Sequence, residues 1–226
     1  MKNNICFNNA SSNNIIIWLI SHIAFPFSKI FFFFKVGANI LTLFSIIFTI
    51  FAFYFLVKGN YLFFLYFWLL NIVLDFCDGQ VARLSKNVNK SNFRYDHFSD
   101  IFKLSLIFLG NAIYFNLENI WIYIFITNFL YLFYLILQKY QNNKLKKIVK
   151  NKKHHFLDYF KIYNFFIALY KVIVPIILQF NGHSLLLILF LPMSENICIS
   201  ILLYFNLLFV YRIVKTAKFL MYSKAK

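Results

Sequence analysis

The chain has 226 residues, of which 23 are Lys or Arg and only 7 are Asp or Glu, for a formal net charge of +16. Apolar residues make up 62% and charged ones 13%, against roughly 45–50% and 25% in soluble domains. So few charges cannot cover a water-facing surface, and 33 Phe with 15 Tyr exclude disorder. What remains is an all-α polytopic membrane protein with about six spans and no sizeable soluble domain.

Residues 1–14 are polar and Asn-rich, without the basic start and small-residue cleavage site of a secretory signal. Residues 15–34 are apolar but interrupted by Ser21, His22, Pro26, Ser28 and Lys29. They read as an interfacial helix lying on the membrane, with a full span as the second reading. Residues 1–37 are therefore taken as an N-terminal interfacial segment ahead of a membrane domain over 38–226.

Spans are predicted over 38–57, 61–83, 95–116, 120–138, 159–180 and 196–214. Between them lie the turn Lys58-Gly59-Asn60, the polar segment Leu84 to Arg94, the turn Asn116 to Asn119, the basic stretch Lys139 to Lys153, and Asn181-Gly182. The short apolar piece 184–192 ends in Pro192 and is placed at the far surface. Cys6, Cys77 and Cys198 are too scattered to draw a disulfide framework or a metal knuckle. No internal repeat is evident, which weakens an inverted-repeat transporter.

Charge sets the orientation. With the N-terminus inside, the inner segments carry twenty of the 23 Lys and Arg, and the outer turns carry only Lys58. Lys103 and Lys171 fall within spans. This bias puts both termini in the cytoplasm. The basic residues Lys144, Lys146 and Lys147 then serve topology and attraction to anionic membrane lipids, with no nucleic-acid partner.

Four of the seven acids fall in one window: Asp75, Asp78, Asp96 and Asp100. An ionised Asp at the centre of a spanning helix costs roughly 2.5–3.5 kcal/mol, and less near the interface. Asp75 and Asp78 are i, i+3 on one helix, with Ala82 continuing their face. Asp96 and Asp100 are i, i+4 on the next. Consecutive antiparallel helices bring all four to similar depth at the cytoplasmic side, where they repel one another and resist ionisation. Oxygen-only ligands favour a hard ion, Mg²⁺ or Mn²⁺. Two such ions make a clamp suited to displacement at phosphorus. Caps or pairing with Arg83, Arg94 and Lys103 would explain one such Asp, but less readily four. An ion path is the other functional reading, and acids at one face rather than the midplane argue against it.

Written out, the window is Asp75-x2-Asp78-Gly79-x2-Ala82-Arg83-x8-Asn92-x3-Asp96-x3-Asp100. It resembles the D-x2-D-G-x2-A-R-x8-G-x3-D-x3-D motif of the CDP-alcohol phosphotransferase family in seven of eight fixed residues and in every gap. Asn92 stands where the family has its second glycine. Asn tolerates the left-handed backbone that glycine would permit there. More weakly, Asn39-x2-Thr42 is similar to the family's Pro-Asn-x2-Thr element. An ordinary cap by Asn39 is the alternative.

The resemblance implies an integral membrane transferase of phospholipid biosynthesis. It would move a substituted phosphate from a CDP-linked donor, most simply CDP-diacylglycerol, to an alcohol acceptor and release CMP. It implies Asp75, Asp78 and Asp96 as metal ligands, Asp100 completing a two-ion Mg²⁺ or Mn²⁺ site, and Asp100 as general base. Asn39, Thr42, Asp75, Gly79, Ala82, Arg83 and Asn92 would contact the CDP moiety. Arg83 would stabilise phosphate or hold a carboxylate. Lys103, Lys139, Lys161 and Arg212 would receive an anionic acceptor or only anchor the inner face. Asp96-His97 is similar to a pair in choline and ethanolamine phosphotransferases, so head-group transfer from CDP-choline or CDP-ethanolamine to a lipid hydroxyl is an alternative. A non-enzymatic transporter and a silent relative are others. The family commonly forms homodimers. The resemblance fits a multi-pass protein of a cell membrane, read as a bacterial inner membrane, with its site open to the cytoplasm.

Overall fold

The computed structural model describes residues 14–85, 90–148, 169, 173–174 and 186–222, of which 90–97, 140, 142–148 and 222 by backbone alone. Among them every regular element is helical: α1 Ile15–Phe33, α2 Ala38–Val57, α3 Tyr61–Leu84, α4 Lys90–Tyr114, α5 Ile120–Ile148, a 3₁₀ segment Ile188–Met193, and α6 Glu195–Tyr222. Five helices are long and apolar enough to cross a bilayer: α1, α2, α3, α5 over Ile120–Lys139, and α6 over Glu195–Met221. The protein is a multi-pass membrane protein. Helix α4 overlaps the third expected span, starting earlier and ending at Tyr114, and carries Lys90, Arg94, Asp96, Asp100 and Lys103. The fifth expected span, 159–180, lies almost wholly outside the described residues, as does Lys161.

Large apolar side chains face outward along every candidate span, including Phe33, Leu62, Phe125 and Leu207, each at least 71% exposed. A water-facing surface would not carry such a coat. Lipid is as apolar as these side chains, so helix association rests on close packing and hydrogen bonds. Helix α2 buries a narrow, small-residue stripe of Leu41, Thr42, Ser45, Thr49, Ala52 and Leu56. It packs against both α3 and α4. Against α3 the two chains run antiparallel: Phe51 and Phe55 meet Phe67, Phe55 stacks on Phe63, and Thr42 meets Asp78. Against α4 they run parallel, with Ser45 beside Lys103 and Leu56 beside Gly110.

Gly110 sets the α2–α4 approach. A Cβ there would stand 2.9 Å from Leu56 Cδ2 and 3.0 Å from Phe53 Cδ2. Gly110→Leu is therefore expected to push the two helices apart and cost about 1–3 kcal/mol, seen as a lower thermal midpoint in detergent. The turns follow the sequence: Gly59 has φ +71° and Asn116 φ +51°, and the Asn60 side chain caps α3 at Phe63 N.

Helix α1 does not rest on lipid alone. Its buried residues are Ile17, Ile20, Ser21, Ala24 and Ser28, and it packs on α3. Gln80 ties the two, donating to Ser21 O at 2.8 Å and accepting from Ser28 Oγ at 2.8 Å. Cys77 Sγ donates to Ala24 O at 3.3 Å. Of the residues that interrupt its apolar run, Ser21 and Ser28 lie on this packing face, while His22, Pro26 and Lys29 are exposed.

Helices α5 and α6 pair through Thr127, which donates to Asn206 Oδ1 at 3.0 Å, and through Tyr131 against Phe209. Asn128 links α5 to Ser105 of α4 at 2.8 Å. The 3₁₀ segment buries Ile188 and Leu191 and accepts from Tyr61 Oη at Leu189 O. It sits at the start of α3, the end remote from Asp75 and Asp78.

Candidate active site

Three helices meet at the acidic window. On α3, Asp78 is buried, and its Oδ2 accepts from Thr42 Oγ1 of α2 at 2.6 Å. One turn earlier, Asp75 Oδ1 accepts from Lys103 Nζ of α4. Lys103 also donates to Ser45 Oγ of α2 at 3.3 Å and lies 3.7 Å from Asp100 Oδ1, three residues back on its own helix. Its side chain is 4% exposed, while that of Asp75 is 20% and that of Asp100 36% exposed. Taking an ammonium out of water costs several kcal/mol even after relaxation. The carboxylates on either side are what make Lys103 tolerable there.

The carboxylates of α3 and α4 come together across α2, which supplies a row of hydroxyls between them. Thr42, Ser45 and Thr49 follow helical spacing, and each also donates to a backbone carbonyl three or four residues back. Sequence reasoning named Thr42 but missed Ser45. Its place one turn from Thr42 on the same face was the signal. Thr42→Val keeps the shape but leaves Asp78 without that donor, an expected cost of about 1–3 kcal/mol, read as a lower thermal midpoint.

Arg83 folds back over Gly79: a Cβ on that glycine would lie 3.3 Å from Arg83 Nη1. Asn39 is exposed on the second residue of α2 and is not the helix cap, since Gly37 holds that position without a side-chain bond. Asn39 and Ala82 line a cavity of about 730 Å³ with Lys29, Lys35, Phe32 and Phe33. Asn92 lies in the first turn of α4, in helical backbone, so the left-handed geometry expected of it is not used. The side chains of Asn92 and Asp96 lie outside the described residues.

Of the more distant cations, Lys139 is exposed on α5. Arg212 of α6 donates to Tyr134 Oη at 3.2 Å and stacks over that ring, joining α6 to α5.

The model of the family "CDP-alcohol phosphatidyltransferase" matches residues 35–191. The chain belongs to this family. No curated protein and no solved structure matches it. As a CDP-alcohol phosphatidyltransferase it is an enzyme of phospholipid biosynthesis, transferring a phosphate-linked group from a CDP-alcohol donor to an alcohol acceptor. The family generally depends on a divalent metal. The donor set here suits a hard cation, since Asp75, Asp78 and Asp100 with the Thr42 and Ser45 hydroxyls offer only oxygen. Among the described residues, no three His, Cys, Asp or Glu side chains are grouped to hold a metal ion. The transferase instead has the Lys103 ammonium beside Asp75 and Asp100.

Proposed function

We propose that the donor is CDP-diacylglycerol and that the site opens to the cytoplasm. The observation that carries this reading is the junction of Asp75, Asp78 and Asp100. It lies toward the ends of α3 and α4 that meet the Lys- and Arg-rich segment 83–94. The neighbouring cavity supports a lipid-linked donor: Lys29 and Lys35 suit phosphate, and Phe32 and Phe33 suit the apolar part.

In this reading Asp75, Asp78, Asp96 and Asp100 would hold Mg²⁺ or Mn²⁺. When bound, the ion would supply positive charge to the diphosphate and to departing CMP. Asn39, Thr42, Gly79, Ala82, Arg83 and Asn92 hold the CDP moiety, with the Thr42–Asp78 bond fixing α2 against α3. Asp100, the most exposed of the three described carboxylates, takes the proton of the acceptor hydroxyl. The alcohol oxygen bonds to the phosphorus bearing the diacylglycerol, and the bond from that phosphorus to the CMP oxygen breaks. CMP leaves with the electron pair. Lys139 and Arg212 remain candidates for an anionic acceptor, and a homodimer follows the family habit.

Radiolabelled CDP-diacylglycerol in membranes containing the protein should release CMP only with Mg²⁺ or Mn²⁺ and an alcohol such as glycerol 3-phosphate, serine or inositol phosphate. Turnover confined to CDP-choline or CDP-ethanolamine with diacylglycerol would replace this donor by the head-group reading. No CMP release from any donor would overturn both.

A further inference from the structure

We infer that Lys103 is a resident cation of the carboxylate cluster, taking the place of one of the two divalent ions, so that this chain binds a single one. The inference rests on the metal-dependent reading above and concerns how many ions the site accepts.

Three observations carry it. First, the ammonium is held from three helices: Asp75 on α3, Ser45 on α2, and Asp100 on its own α4. Second, the side chain is only 4% exposed. A lysine near a membrane interface usually extends its amino group toward water. Lys103 turns inward, so an arriving ion meets it in place. Third, Asp75 and Asp100, both expected as metal ligands, are the carboxylates it pairs with.

Charge balance points the same way. The three described carboxylates, Asp75, Asp78 and Asp100, carry less negative charge than two divalent ions carry positive. A fixed ammonium leaves too little for a second ion, which would also sit against a like charge in a medium that screens poorly.

The test counts bound Mn²⁺ by electron paramagnetic resonance on the full chain in lipid nanodiscs, without substrate. The wild type is expected to hold one Mn²⁺ per chain. Lys103→Ser, which removes the ammonium, is expected to hold two, and Lys103→Arg one. Two ions in the wild type would overturn the inference while leaving the metal-dependent reading intact. One ion in both the wild type and Lys103→Ser would also overturn it, because lysine would then not be what excludes the second. No bound Mn²⁺ in any form would overturn both the inference and the reading beneath it. Should Lys103→Ser fail to fold, the wild-type count decides: one supports, two overturns.

Discussion

Asp100→Asn is expected to stop transfer while the protein still inserts and still binds a CDP-linked donor. A positioned base contributes about 100- to 10,000-fold to rate, and the amide that replaces Asp100 has the same shape but no comparable basicity. The fold should tolerate the change. Lys103 keeps Asp75 and Ser45 as hydrogen-bond acceptors and loses only the carboxylate charge 3.7 Å away. CMP release and donor binding, measured on the same membranes, separate the two effects. Lost turnover with retained donor binding assigns the loss to the chemical step. Full activity with metal present would remove Asp100 from the chemistry.

Asp75→Ala should act first on stability. It strands an ammonium that is 4% exposed, and breaking a buried pair by removing one partner costs about 3–5 kcal/mol. The thermal midpoint in detergent should fall steeply. Asp75→Ala combined with Lys103→Met should recover much of that loss, because no buried charge is left uncompensated, yet should not restore transfer. If the double variant is as unstable as the single one, the pair is not what stabilises this junction. The cycle reads the coupling directly because the two residues touch.

Much of this was legible in the sequence because the signals were local. Gly59 and Asn60 marked the α2–α3 turn through backbone freedom and capping. The positions of Asp75 and Asp78 on α3, and of Asp100 on α4, followed from helical spacing. What was not legible depended on which helix lies beside which. The spacing arguments paired α3 with α4 directly, whereas α2 packs on both and brings Ser45 to Lys103. Lys103 reads from the sequence as a cation within a span that could pair with an Asp, anchor the inner face or receive an acceptor. Its burial shows only once Asp75 of another helix is placed against it. Ser21 and Ser28 interrupt the hydropathy of α1, and their burial against α3 was not legible, because small polar residues allow close helix approach only once the neighbour is placed. The expected span 120–138 agrees with the apolar stretch Ile120–Lys139, while the helices run on, α5 to Ile148 and α6 to Tyr222, since Lys and Gln are good helix formers and a helix need not stop where the membrane does.

The placement of α2 has a mechanical consequence. Two acid-bearing helices lean on one shared strut and meet through Lys103 and Asp75, and Gly110 on one side and the hydroxyl row on the other determine how closely they can seat on it. The placement of the carboxylates thus depends in part on small residues such as Gly110 that lie outside the acidic window. Chemistry at this junction would be retuned by altering the strut as surely as by altering the acids.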